Sequence, residues 1–156
     1  MAIPAYMWID DVEGGCTVAG REGSIEVLEF NHEVRIPTDP DTGQLTGTRK
    51  HEAFRFVKAY DKSSPLLYKA VCEGLTYPNV KVEWYKIDDE GAEICYFTHQ
   101  LESVKVCSVR PYMLNVKDKN YERYVHMEEI SMRYGKITWE YPDGGFMHSD
   151  SWLEGR

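Results

Sequence analysis

Asp61-Lys62-Ser63-Ser64-Pro65-Leu66-Leu67-Tyr68-Lys69-Ala70-Val71-Cys72-Glu73-Gly74 is the one stretch of this chain that reads clearly as helix. Ser64 can accept a hydrogen bond from an early backbone N–H, and Pro65 suits the first helical position because it has no N–H to lose. Leu67, Ala70 and Val71 recur at three- and four-residue spacing and share a face. Gly74 can take the left-handed conformation that ends a helix. A helix of roughly ten residues is not stable alone in water, so it must lie on a neighbour. Strands flank it on both sides.

Residues 2–9 alternate, with Ile3, Ala5, Met7 and Ile9 on one face and Tyr6 and Trp8 on the other. Residues 10–20 are rich in glycine and acid and read as a turn. Residues 24–34 form a second strand whose pattern slips between Val27 and Leu28, the mark of a bulge or of a strand covered on both faces. Residues 49–60 form a strand with Phe54 and Phe56 on one face. Residues 80–87 place Val80, Val82 and Trp84 together, Asp88-Asp89-Glu90-Gly91 is a hairpin turn, and residues 93–99 return. Residues 101–109 change apolar phase between Val106 and Cys107. Residues 111–124 carry no assignable pattern. Residues 127–141 form a long strand whose phase flips at Gly135, as at a bulge. Pro142-Asp143-Gly144-Gly145 turns the chain into a last short strand, 146–152. The expected fold is a mainly β antiparallel barrel or sandwich of seven to eight strands with one flanking helix and an extended loop, a single domain over 1–156.

That loop is Pro37-Thr38-Asp39-Pro40-Asp41-Thr42-Gly43-Gln44-Leu45-Thr46-Gly47, with Leu45 its one large non-proline apolar residue. Long segments of this kind in compact domains are functional or disordered. Because strand pattern resumes directly after it, an arm projecting from a sheet is the reading adopted.

The net charge of −8, from 26 acidic against 18 basic residues, argues against nucleic-acid binding and against docking on an anionic membrane. No apolar run reaches the roughly 20 residues of a membrane-spanning helix, and the N-terminus lacks the basic region of a signal peptide. Cys16, Cys72, Cys95 and Cys107 contain no C-x-x-C pair and read mostly as small buried hydrophobes. His32, His51, His99, His126 and His148 show no paired metal-ligand spacing. No phosphate loop, nucleophile elbow or zincin motif is present. His148-Ser149-Asp150-Ser151 holds the letters of a hydrolase triad, but neighbours on a strand point to opposite faces. A small cysteine or histidine hydrolase stays open as an alternative, because such pairs are assembled in space. The residues themselves imply no enzyme, cofactor or metal. Twenty aromatic side chains and an arm without a core of its own point instead to self-association, which closes into a ring when head-to-tail rotation closes.

Four segments carry more. Arg21-Glu22-Gly23-Ser24-Ile25-Glu26-Val27, Gly47-Thr48-Arg49-Lys50-His51 with Phe54, Asp61-Lys62-Ser63-Ser64-Pro65 with Leu67, Tyr68 and Ala70, and Ile137-Thr138-Trp139 followed by His148-Ser149-Asp150-Ser151-Trp152 occur in one order along nearly the whole chain. Together they resemble the haemolysin-coregulated protein (Hcp) family, the tube protein of the bacterial type VI secretion system. The resemblance implies a small barrel, a homo-hexamer ring and stacked rings forming a hollow tube. It implies a spike protein, a contractile sheath and effector proteins as partners, with assembly in the bacterial cytoplasm and then secretion without a signal peptide. It places subunit and ring-stacking contacts on Thr38, Asp39, Asp41, Thr42, Gly43, Gln44, Leu45 and Thr46. A phage tail-tube subunit of the same architecture is the alternative within that fold. Residues 10–20 depart from the resemblance by being short, which bears on ring packing near the first hairpin.

Overall fold

The computed structural model describes residues 3–152. In chain order the elements are β1 (Ala5–Ile9), β2 (Ile25–Val27), β3 (Glu29–Asn31), β4 (Val34–Arg35), β5 (Lys50–His51), β6 (Phe54–Ala59), α1 (Ser64–Glu73), β7 (Thr76–Ile87), β8 (Glu93–Tyr112), a 3₁₀ turn (Lys119–Tyr121), β9 (Met127–Arg133), β10 (Lys136–Tyr141) and β11 (Phe146–Ser151). All pairings between named strands are antiparallel. The main sheet runs β2-β1-β7-β8-β9-β6-β3, with β10 on β8 and β11 on β10.

The two ends of that path, β2 and β3, are separated in sequence by Leu28 alone. Leu28 donates its N–H to the Val57 carbonyl at 2.8 Å, so the chain leaves β1 and joins β6 within one residue. The sheet therefore curls until its ends meet through the covalent chain, without a hydrogen-bonded seam between β2 and β3. The slip between Val27 and Leu28 is this change of partner, and the expected strand 24–34 is three short strands.

The other phase changes have similar causes. Residues 93–99 and 101–109 belong to one continuous strand, β8. Its pairing with β9 shifts between Val106 and Ser108, where Cys107 is the extra residue. Its pairing with β7 shifts between Trp84 and Tyr85, opposite Phe97 and Cys95. Residues 127–141 run along β8 throughout but break at Tyr134 and Gly135 into β9 and β10. Beyond β9 the next strand is β6, and beyond β10 it is β11, so the break splits one layer into two.

Met7, Ile25, Phe54, Phe56, Val80, Val82, Leu101, Ile130, Met132 and Ile137 fill the interior. Burial of each such side chain contributes about 1.5–3 kcal/mol. Leu67 and Ala70 of α1 close over this core, with Val71 at its margin, and the helix lies on β8. Gly74 is left-handed at φ 65° and ends the helix, as its position implies. Ser64 is not the cap. Ser63 holds that position, without a side-chain capping bond, and the Ser64 hydroxyl turns into the interior.

Candidate assembly surface and its anchors

Residues 37–47 stand off the barrel as the tip of a two-stranded ribbon. β4 and β5 form a sheet of their own, in register Val34 with His51 and Arg35 with Lys50. Thr38 and Leu45 extend the pairing, and the Asp39 and Thr46 N–H groups donate to the Gln44 and Pro37 carbonyls at 2.7 and 2.8 Å. At the tip, the Asp39 carboxylate accepts from the Asp41 N–H at 2.8 Å, the Gly43 N–H donates to the Asp39 carbonyl, and Gly43 takes φ 72°. The segment is thus an ordered hairpin of local bonds rather than a bare excursion. Of the eight candidates, Asp39 is half-buried and Thr38, Asp41, Thr42, Gly43, Gln44, Leu45 and Thr46 are exposed. Leu45 is 65% exposed.

The ribbon continues the β3–β6 pairing through the Glu52 N–H, which donates to the Glu33 carbonyl at 2.9 Å, and side chains fasten it to the barrel as well. Arg49 pairs with the Asp150 carboxylate and also donates to the Ser151 carbonyl at 2.9 Å. His51, buried, meets Asp150 through Nε2 at 2.7 Å and the Tyr134 hydroxyl through Nδ1 at 2.6 Å. His32 meets the same hydroxyl at 2.8 Å. The His51 ring stacks on Trp152. Arg49's hydrogen bond lowers the Asp150 pKa against burial, and His51 adds to it. Burial pushes the Tyr134 hydroxyl upward and brings His32 down to about 4, with His51 contributing.

A second anchor holds the start of α1. Lys58 and Glu128 are register partners on β6 and β9, form an ion pair, and are both fully buried. The Ser64 hydroxyl donates to Glu128 at 2.6 Å and accepts from Lys58 at 3.0 Å and from the Asp61 N–H at 3.1 Å. Asp61 accepts from Lys58, from Ser63 and from the Gly15 N–H. Burial alone would raise the Asp61 pKa; bonds from Ser63 and Lys58 outweigh it and hold it below the ordinary value. A third anchor ties the 10–24 loop to the β7–β8 hairpin. The Arg21 guanidinium lies 3.7 Å from the Tyr85 ring centre, 4.8 Å from that of Tyr6, and pairs with Glu93 at 2.7 Å.

The motif residues therefore divide into structural anchors. Arg21, Arg49, His51, Asp61, Ser64 and Asp150 each fasten one segment to another. Tyr134, Lys58 and Glu128 were not legible as partners. A lysine directly following the apolar run Phe56-Val57 and preceding Ala59 was the available signal.

Strand alternation sends Ser149 to the face opposite His148 and Asp150, and those two, on one face, go to different partners. His148 stacks on Trp139, Ser149 meets Thr138 at 2.8 Å, and Asp150 goes to His51 and Arg49. A shallow groove of about 340 Å³ beside Trp152 includes Tyr134 in its wall, but that hydroxyl is engaged by both histidines. No cluster of three metal-ligating side chains occurs among the described residues. The cysteines are free and depart from the expected burial: Cys16 is buried, Cys95 half-buried, Cys72 and Cys107 exposed. Cys107 is pushed outward as the extra residue of the β8 bulge.

Residues 6–141 match the family model T6SS_HCP, described as "Type VI secretion system effector, Hcp". The chain is 36% identical to the "Major exported protein" of Pseudomonas aeruginosa, with 97% of this chain and 96% of that protein covered. Among solved structures, it is similar to the Hcp1 protein of E. coli EAEC 042, with 48% identity, a TM-score of 0.86, and 97% of this chain and 100% of that one covered. It is also similar to the secreted protein Hcp3 of Pseudomonas aeruginosa, with 29% identity, a TM-score of 0.79, and 98% and 100% covered. With family match, relatives and fold in agreement over almost its whole length, this chain belongs to the Hcp family of type VI secretion tube proteins.

Proposed function

We propose that the whole chain acts as one tube domain, that six copies close into a ring, and that rings stack into a hollow tube. The observation that carries this reading is the ribbon. Its tip is ordered by its own bonds yet exposed, and it displays Leu45 to solvent. Thr38, Asp39, Asp41, Thr42, Gly43, Gln44, Leu45 and Thr46 would contact the adjacent subunit and the next ring. Further support comes from β11, which pairs only with β10 among the described strands and leaves an open edge next to exposed Phe146 and Met147. Unpaired edges and apolar surface of this kind are covered by another chain in a stable assembly. Membership in the family supports the rest: assembly in the cytoplasm, a contractile sheath outside, a spike protein at the end, effector proteins in the lumen, and secretion without a signal peptide.

Negative-stain imaging of the purified protein should show annular particles of one diameter. A protein that stays monomeric at high concentration overturns the reading. Deleting residues 39–46 should leave the thermal melt by circular dichroism within a few degrees of the parent while abolishing stacks. Collapse of the fold on that deletion would show that the segment serves the barrel, not a neighbour.

A further inference from the structure

We propose that the chain of hydrogen bonds Arg49–Asp150–His51–Tyr134–His32 is a clamp that sets the pose of the ribbon on the barrel. The ribbon needs one. β4 and β5 continue the β3–β6 pairing across a short gap, where one backbone bond, from the Glu52 N–H to the Glu33 carbonyl at 2.9 Å, joins the two ladders, and a two-stranded ribbon beyond the sheet is at best marginally stable in water. Local bonds order the ribbon's tip, but they say nothing about its angle to the barrel. The clamp grips both legs. His32 lies just before β4 and His51 ends β5, and both bind one phenol, Tyr134. Arg49 and His51 bind one carboxylate, Asp150, which belongs to β11.

The donors and acceptors close. A carboxylate only accepts, so His51 Nε2 carries a proton toward Asp150. With His51 neutral, its Nδ1 accepts from Tyr134, and His32 Nε2 donates to the Tyr134 oxygen. With His51 protonated, both bonds at the phenol reverse and the chain is still satisfied. Protonating both histidines leaves the Tyr134 proton facing two donors.

The consequence rests on the tube reading: a ribbon held in one pose loses less entropy on meeting a neighbour. Asp150→Asn and Tyr134→Phe test the clamp itself by hydrogen exchange. The Glu52 amide, which donates to the Glu33 carbonyl at the root of the ribbon, should exchange roughly tenfold faster or more in each variant, because opening of the root no longer breaks a charge-assisted or buried bond. Amides of β7 and β8 should keep their parent rates. Unchanged ribbon exchange with the barrel intact overturns the clamp. Equal acceleration of ribbon and barrel, or failure of both variants to fold, also overturns it, because the cluster would then serve the whole fold. Ring stacking, measured on the same samples, should fall in both variants. If the parent protein forms no assemblies, the tube reading fails, while the exchange result stands by itself.

Discussion

Lys58 and Glu128 face each other across β6 and β9 with neither side chain exposed. Removing one partner of such a pair strands a charge in the core. Lys58→Met should destabilise the protein by about 3–5 kcal/mol, and adding Glu128→Leu should recover most of that loss. Urea midpoints measure both, and a double variant no more stable than the single one would show that the bonds to Ser64 and Asp61 outweigh the pairing itself. The histidines give a second prediction at this scale. The Trp84 indole, which can only donate, points at His99 Nδ1 at 2.8 Å. Burial takes both His32 and His99 down to about 4 from 6.5, with a neighbouring histidine adding to each. Folded-state pKa values below the unfolded ones mean stability that is full above 6.5 and lost as pH falls toward 4. The depressed Asp150 acts in the same direction at lower pH. Tyr134, His51 and His99 are the titratable groups that meet or act on His32, and Asp150, Arg49 and Arg133 act on those groups in turn. Thermal midpoints should be level above pH 7 and drop between pH 6.5 and 4, and His32→Gln should flatten part of that drop. A midpoint constant down to pH 4 would contradict the assignment.

Among elements, the loop from β1 to β2 shows how close approach replaces length. Gly14 donates to the Gly23 carbonyl at 2.8 Å, and Cys16 to that of Ser24 at 3.0 Å. A Cβ on Gly14 would lie 2.2 Å from the Ser24 carbonyl oxygen, and the obstacle is backbone. Gly14→Ala should therefore destabilise the fold by roughly 1–3 kcal/mol, the usual range for forced overpacking. Circular dichroism melts check this, and a neutral substitution would mean that the loop can move away. The same loop hands the Gly15 N–H to Asp61 at the start of α1. The helix is thus held at its N-terminal end by a buried network and along its length by Leu67 and Ala70 on the core. Its position was readable from spacing. The job of Ser64 was not, because a hydroxyl before a helix serves equally as a cap or as a buried bridge.

At the scale of the whole molecule, each copy carries −8. Bringing such copies together costs Coulomb energy that salt screens within about 8 Å at physiological ionic strength. Assembly by the proposed apolar and edge contacts should strengthen as salt rises from about 20 to 150 mM, a range in which the screening length shortens by more than half. Sedimentation velocity checks it, and weaker assembly at higher salt would point to an interface built on charge pairs. Local order was largely set by sequence alone. The helix and its glycine stop, the turn glycines and the apolar faces follow from one residue and its near neighbours. The family was also legible there, since its motif letters keep their order along the chain. Partnership was decided only in three dimensions. Asp150 meets a histidine 99 positions away, and Lys58 a glutamate across two strands. The two ends of the sheet meet at Leu28 because the chain there leaves β1 and joins β6, strands distant from each other in sequence. Such contacts depend on which strands lie side by side, a property of the folded sheet as a whole that no local pattern records.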